Sequence, residues 1–326
     1  MEPFRYERAA DTASAVATID ASPAAKFLGG GTNLVDLMRL GVERPDVLID
    51  VTRVGDDTID ETAEGGLHIG ASVRNSDLAA DMRVRTGYPM LAEALLSGAS
   101  GQLRNLATTG GNLLQRTRCA YFQDVTKPCN KREPGTGCPA REGDHRNLAV
   151  IGHSERCVAT HPSDMAVALA ALDATVHIVG PSGSRTIPLV DLHRLPEATP
   201  ERDTILERDE LIVAVELPPL AFAARSAYRK VRERASFSFA LVSVAAALDV
   251  ADGNVRHVRI AFGGLAHKPW RAYAAEDALR GEPAEEAAFA AAADAELAEA
   301  EPLRDNAYKV PLAKATLVQT LLELVP

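Results

Sequence analysis

Lys26-Phe27-Leu28-Gly29-Gly30-Gly31-Thr32-Asn33-Leu34 is the stretch on which the reading of this 326-residue chain turns. Residues 24–28 (AAKFL) have the pattern of a short strand, and residues 33–40 (NLVDLMRL) have the 3–4 apolar spacing of a helix. Three successive glycines between them let backbone come close to a ligand, and the N–H groups of Thr32 and Asn33 at the helix start can hold an anion. No Gly-Lys-Ser/Thr follows, so this is no P-loop, and the G-x-G-x-x-G dinucleotide pattern is missing too. A tight strand-to-helix turn accounts for the glycines equally well when they are taken alone.

Working outward, residues 46–51 (DVLIDV) read as a second strand that completes a small α/β unit. Another unit starts near residue 65, with a strand over 67–71, a helix from Asn75 and a helix over 89–96. It ends in the turn-rich GASGQLRNLATTGGNLL, which holds a second glycine loop, Thr108-Thr109-Gly110-Gly111-Asn112. Two such loops in separate units suit a long phosphate-bearing ligand lying between them, and a pyrophosphate-linked dinucleotide has that shape. Order resumes after Ser163 with the helical DMAVALAALDA, the strand–turn–strand TVHIVGPSGSRTIPLVDL and a buried strand over 210–217 closed by Pro218-Pro219. Beyond it, residues 240–250 and 255–262 alternate around Asp252-Gly253-Asn254, a hairpin signal, and helices are expected over 272–281, 284–300 and 310–325. The predicted organisation is α+β in three parts: residues 1–54, 55–219 and 220–326.

All four cysteines, Cys119, Cys129, Cys138 and Cys157, fall within residues 113–162, a Gly/Pro/Arg-rich stretch with neither helical nor strand pattern. Scattered cysteines are usually small buried hydrophobes; four in one segment act together. Their spacing is C-x9-C-x8-C-x18-C. Four thiolates suit iron–sulfur iron or tetrahedral zinc, although structural zinc favours close C-x2–4-C pairs, and two disulfides stay open in an oxidising compartment. Arg118, Lys127, Lys131 and Arg132 are placed to offset thiolate charge. His145, His153 and His161 read as surface residues or hydrogen-bonding neighbours of the site.

A hydrophobic content of 46% with 25% charged residues is that of a soluble globular protein. A net charge of −10 argues against nucleic-acid or anionic-membrane surfaces, which want clustered Lys and Arg. No apolar run approaches the ~20 residues that span a bilayer. The start, MEPFRYERAADTASAV, lacks the basic and apolar regions of a signal peptide. The expected location is cytoplasmic, or periplasmic if the folded chain is exported with a partner that carries the signal.

KFLGGGTNL, QLRNLATTGGNLL, HPSDMAVALAALDA, ELIVAVELP and YRKVRERASFSFALVSVA, in that order across essentially the whole chain, resemble the FAD-binding subunit of the xanthine dehydrogenase / molybdenum hydroxylase family. The resemblance implies a two-subdomain FAD-binding fold of the vanillyl-alcohol-oxidase (PCMH) type, followed by a C-terminal α+β domain like that of carbon monoxide dehydrogenase flavoproteins. It implies that Phe27, Leu28, Gly29, Gly30, Gly31, Thr32, Asn33 and Leu34 wrap the FAD pyrophosphate, with Thr108, Gly111 and Asn112 touching the cofactor from the second subdomain. Asp164 would anchor a polar part of FAD, Ile212 would pack near the flavin ring and Lys230 would stand beside it. Read by themselves, Asp164 could be a helix N-cap, Ile212 plain core and Lys230 one charge of a solvated strand. The cysteine segment, with CNKREPGTGCPA, resembles the branch typified by periplasmic aldehyde oxidoreductase, whose flavin subunit carries a [4Fe–4S] cluster. The implied role is electron transfer beside a large molybdenum-cofactor subunit and a small [2Fe–2S] subunit, onward to an acceptor. No carboxylate or histidine falls where a stand-alone FAD oxidoreductase would need a base; a zinc-stabilised scaffold with empty loops is the other alternative.

Overall fold

The computed structural model describes residues 1–326. Its first sheet joins β1 (Arg5–Arg8), β2 (Lys26–Leu28) and β3 (Val47–Asp50), all parallel in the order β1-β3-β2. Parallel neighbours need crossovers, supplied by helices Thr12–Ala21 and Leu34–Arg39. The first of these, like β1, falls where the sequence suggested no element. An Asp11/Ser14 capping box starts it, and Ala15, Val16 and Ile19 face inward. The central β3 is buried at every residue.

The second sheet contains β4 (Ile59–Glu61), β5 (Leu67–Gly70), β6 (Thr175–Gly180), β7 (Gly183–Pro188) and β8 (Leu211–Leu217), antiparallel in the order β4-β5-β8-β6-β7. Leu67, Ile69, Val176, Ile178, Val215 and Leu217 point into the largest core, shared with helices Pro89–Ser97 and Asp164–Ala171.

The third sheet is β9 (Ser226–Val231), β10 (Val242–Ala251), β11 (Asn254–Gly263) and β12 (Trp270–Arg271), antiparallel in the order β12-β11-β10-β9. Asp252 and Gly253 both have positive φ, 52° and 79°, so the anticipated hairpin closes on a type I′ turn. β10 is apolar along most of its length because both faces are covered. Ala245 and Ala247 enter the core of the second sheet, while Val242, Val244, Ala246 and Leu248 pack with helices Tyr273–Leu279, Glu286–Leu297 and Lys309–Leu324. Residues 113–162 contain only single turns, Ala120–Gln123 and Pro139–Arg141, and build a small apolar cluster of their own around Phe122, Ala140 and Val158. No helix is long and apolar enough to cross a membrane.

Candidate functional site

The two glycine loops are pressed together. A Cβ on Gly30 would lie 1.9 Å from the Leu106 carbonyl oxygen, and one on Gly29 would lie 2.8 Å from Thr108 Oγ1. Gly31 has φ +72°, a conformation that disfavours side chains. Thr108 caps the turn Thr109–Leu113 by accepting from the Gly111 amide at 3.2 Å. Beside the loops lies a cavity of about 620 Å³, within the range of small-molecule sites.

Of the residues anticipated from the sequence, Thr32, Asn33, Gly111, Asn112, Asp164 and Lys230 line this cavity together. Phe27, Leu28, Gly29, Gly30, Gly31, Leu34 and Thr108 do not line it; Gly29, Gly30 and Thr108 hold the two loops in contact. Ile212 is 4% exposed and sits in the core of the second sheet.

Asn112 is a hub. Its Nδ2 donates to Asn75 Oδ1 at 2.7 Å, and its Oδ1 accepts from Ser163 Oγ at 2.6 Å and Gln115 Nε2 at 2.9 Å. Ser163 is also the N-cap of helix Asp164–Ala171, accepting from the Ala166 amide, so the cap is Ser163 and Asp164 is the first helical residue. Asp164 accepts from the Tyr228 hydroxyl at 2.6 Å on Oδ1 and from Lys230 Nζ at 2.8 Å on Oδ2. Burial, reinforced by the adjacent Asp164, holds the Tyr228 hydroxyl well above the ordinary phenol range, so it stays a donor. Asn75, Ser163 and Tyr228 are site residues that the sequence did not single out, and His161, read there only as a surface residue or hydrogen-bonding neighbour of the cysteine site, lines this cavity. His161, Ser163 and Tyr228 stand inside or at the start of recognisable motifs; Asn75 carries no local signal.

Four buried polar atoms on the cavity's residues have no hydrogen-bond partner: Asn33 Nδ2, Arg118 Nε, His161 Nε2 and Ser243 Oγ. Each such orphan costs about 1–3 kcal/mol, so four around one void fit a polar ligand that completes their bonds. Phe237 and Phe239, both exposed, add aromatic surface to the lining, with the Arg118 guanidinium 4.9 Å from the Phe239 ring centroid.

The four cysteines line one smaller void and none forms a disulfide. Cys119, Cys129 and Cys157 are buried and Cys138 is half-buried. No three of the sulfurs lie within 4.8 Å of one another. Around a single zinc ion, sulfurs at about 2.3 Å from the metal would stand about 3.8 Å apart, closer than any three of these sulfurs stand. Burial pushes the Cys119 thiol up to about 11 and the Cys157 thiol up to about 12; metal binding would have to displace their protons. The turn from Cys129 to Cys138 is closed by Asn130, whose N–H donates to the Gly137 carbonyl and whose Oδ1 accepts from the Gly137 amide at 2.8 Å.

Not all the basic residues expected to offset thiolate charge do so. Lys131 lines the void, where its charge favours the Cys157 thiolate as expected, and it is also paired with Asp203 at 2.5 Å. Arg132 donates to the carbonyls of Tyr121, Phe122 and Lys127. Arg118 belongs to the larger cavity. His145 and His161 are not surface residues: His145 is buried and accepts from the Asp305 amide at 3.0 Å, and His161 is half-buried and packs on His193 with centroids 4.2 Å apart. Cys119 lines both the larger cavity and the cysteine void, so the two chambers adjoin.

Residues 2–220 match the family model of the FAD binding domain in molybdopterin dehydrogenase, and residues 226–324 match that of the CO dehydrogenase flavoprotein C-terminal domain. With the whole chain accounted for in this way, it belongs to the FAD-binding subunits of the molybdenum hydroxylase family and is an oxidoreductase subunit. Aldehyde oxidoreductase FAD-binding subunit PaoB of Escherichia coli K12 is 54% identical over 324 residues, 99% of this chain and 98% of that protein. The glyceraldehyde dehydrogenase medium chain of Sulfolobus acidocaldarius is 27% identical over 84% of this chain and 79% of its own length. Among solved structures, carbon monoxide dehydrogenase from Hydrogenophaga pseudoflava matches with a TM-score of 0.77 at 27% identity, covering 98% of this chain and 96% of that one.

Proposed function

We propose that this chain is the electron-transfer subunit of a molybdenum-dependent aldehyde oxidoreductase, with FAD in the larger cavity and a [4Fe–4S] cluster held by Cys119, Cys129, Cys138 and Cys157. The observation that carries this reading is the pair of adjoining chambers sharing Cys119, one ringed by polar orphans and the other by free thiols. Bound there, FAD supplies redox chemistry that accepts electrons singly or in pairs, and the cluster supplies one-electron chemistry.

The protein's own part is to bind and orient. Thr32, Asn33, Gly111 and Asn112 present the wall where the two loops meet, Asp164 with Tyr228 and Lys230 fixes the wall beside Ser163, and the exposed phenylalanines give the ring system apolar surface. Asp164, the cavity's buried carboxylate, is held in place by the Tyr228 hydroxyl on one oxygen and the Lys230 ammonium on the other. The partners are a large molybdenum-cofactor subunit and a small [2Fe–2S] subunit that delivers electrons, with an acceptor to receive them. The assembly works in the cytoplasm, or in the periplasm when exported folded on a partner's signal.

Iron content, flavin content and visible spectra of the purified complex test this. Wild type is expected to show flavin bands with a broad brown shoulder. Cys129→Ser, Cys138→Ser and Cys157→Ser should lose iron and keep flavin, whereas Cys119→Ser, whose side chain borders both chambers, should lose iron and weaken flavin retention. A colourless protein carrying zinc at the cysteines overturns the reading.

A further inference from the structure

The second sheet has a face turned away from its core, and three residues there belong to neither chamber. His68 on β5 stands directly across from Glu216 on β8, while His177 on β6 lies opposite Ala214, diagonal to Glu216 on the same face. The two imidazoles meet edge-on with centroids 5.6 Å apart. His177 Nε2 is 3.2 Å from Glu216 Oε2, yet it is buried and not aligned for a hydrogen bond with any partner. One donor atom from each of His68, His177 and Glu216 can be chosen so that all lie within 4.8 Å of one another.

Charge points the same way. Asp56 has its Oδ1 occupied by the Thr58 amide and hydroxyl, leaving Oδ2 3.4 Å from His68 Nε2. Neither Glu216 nor Asp56 is paired with a lysine or arginine. Two uncompensated carboxylates therefore stand beside two imidazoles. His68 and His177 also line a cavity of about 780 Å³ between the sheet and helix Thr12–Ala21, which leaves a route for an ion to enter.

We propose that His68, His177 and Glu216 form a binding site for a divalent transition-metal ion of the zinc class, with Asp56 adding charge alongside and a water in the fourth position. Two imidazoles and a carboxylate are a donor set that zinc takes up, and imidazole selects it over magnesium or calcium, which want oxygen. Donors about 2.0–2.1 Å from a tetrahedral metal stand about 3.4 Å apart, so small side-chain rotations close the present spacing. An ion there ties β5, β8 and β6 together across three adjacent strands.

The test is zinc titration of the purified, flavin-loaded complex, comparing wild type with His177→Ala and Glu216→Gln by calorimetry and metal analysis. Zinc held by thiols is common to all three proteins, so the difference isolates this site. Wild type should bind one additional equivalent per chain, weakened at least tenfold in either variant, and its thermal midpoint should rise with zinc while theirs does not. Circular dichroism and flavin content identify a variant that has not folded, and the other variant then decides. Equal zinc stoichiometry and affinity in wild type and a folded variant, or no additional equivalent in wild type, overturns the proposal.

Discussion

Asp164 binds two different parts of the molecule at once, and its neighbours set what a substitution there should do. Its side chain is 9% exposed and that of Lys230 is 3% exposed, so the ion pair between them is effectively desolvated. Removing one member of such a pair strands the other charge and costs about 3–5 kcal/mol, far more than a surface pair. Asp164→Asn should leave the Lys230 ammonium with only the Ser97 carbonyl at 3.1 Å, and Lys230→Met should leave the carboxylate with only the Tyr228 hydroxyl. Each single variant is expected to lose several kcal/mol. The double variant, which strands neither charge, should lose less than their sum by about 1–3 kcal/mol. Denaturation midpoints of the four proteins measure this, and strictly additive losses would show that the pair is not coupled.

At the level of elements, the glycine loops differ from what their sequence alone conveys. Gly30 faces backbone, not open cavity: a Cβ there would be 1.9 Å from the Leu106 oxygen and 2.6 Å from its carbon. Backbone cannot swing aside, so Gly30→Ala should force the two loops apart, lower stability by about 1–3 kcal/mol and sharply weaken flavin retention. Gly101→Ala, with nothing within 4 Å of the new methyl, is the matched control and should be neutral or slightly stabilising. Flavin content and thermal midpoint after gel filtration compare them; retention of flavin by Gly30→Ala at the wild-type level would refute the loop-contact argument. The role of Gly30 was hidden because its partner is distant in sequence, whereas period and turn chemistry are local signals. The β10–β11 hairpin was legible from Asp252-Gly253, and β8 from its apolar run. Strand β1 (RYER) is mostly polar and exposed, helix Thr12–Ala21 offers a stripe made partly of alanine, and β9 mixes Arg and Lys with Tyr, so none of the three has a clear period. The clustering of thiols could be seen in the sequence; the burial of Lys131 between them and Asp203 could not, because it depends on the connection between β7 and β8 folding over the segment.

Across the whole molecule one polar network, partly buried, joins all its parts. Lys26 of the first sheet pairs with Glu43 at 2.9 Å, Glu43 with Arg116 at 2.7 Å, Arg116 with Asp203 at 2.8 Å and Asp203 with Lys131 of the cysteine segment at 2.5 Å. His267 from the third part lies 3.9 Å from Asp203, and His193 Nε2 donates to the Leu113 carbonyl, just after the second glycine loop, at 2.8 Å. Burial opposes the Asp203 charge, but Lys131 and Arg116 more than offset it and hold its carboxyl well below the usual range, so it stays ionised. The histidines behave oppositely: burial lowers both His193 and His267 to about 4 from an ordinary 6.5. As pH falls below 6.5, the unfolded chain takes up protons at these positions while the native protein does not until about pH 4. Their contribution to stability is therefore complete above pH 6.5 and is lost progressively down to about pH 4, amounting to up to about 3 kcal/mol for each histidine. Asp203 adds its own loss only lower, as its carboxylate begins to protonate. The expected outcome is a thermal midpoint that is flat above pH 6.5 and falls between pH 6.5 and 4.5, with His193→Gln and His267→Gln each flattening that fall. Scanning calorimetry across the range, with flavin released at each pH recorded alongside, makes the comparison. A midpoint that holds steady to pH 4 and drops only where carboxylates titrate, or the same slope in both variants as in wild type, would mean that these two histidines are not what couples the parts to acid.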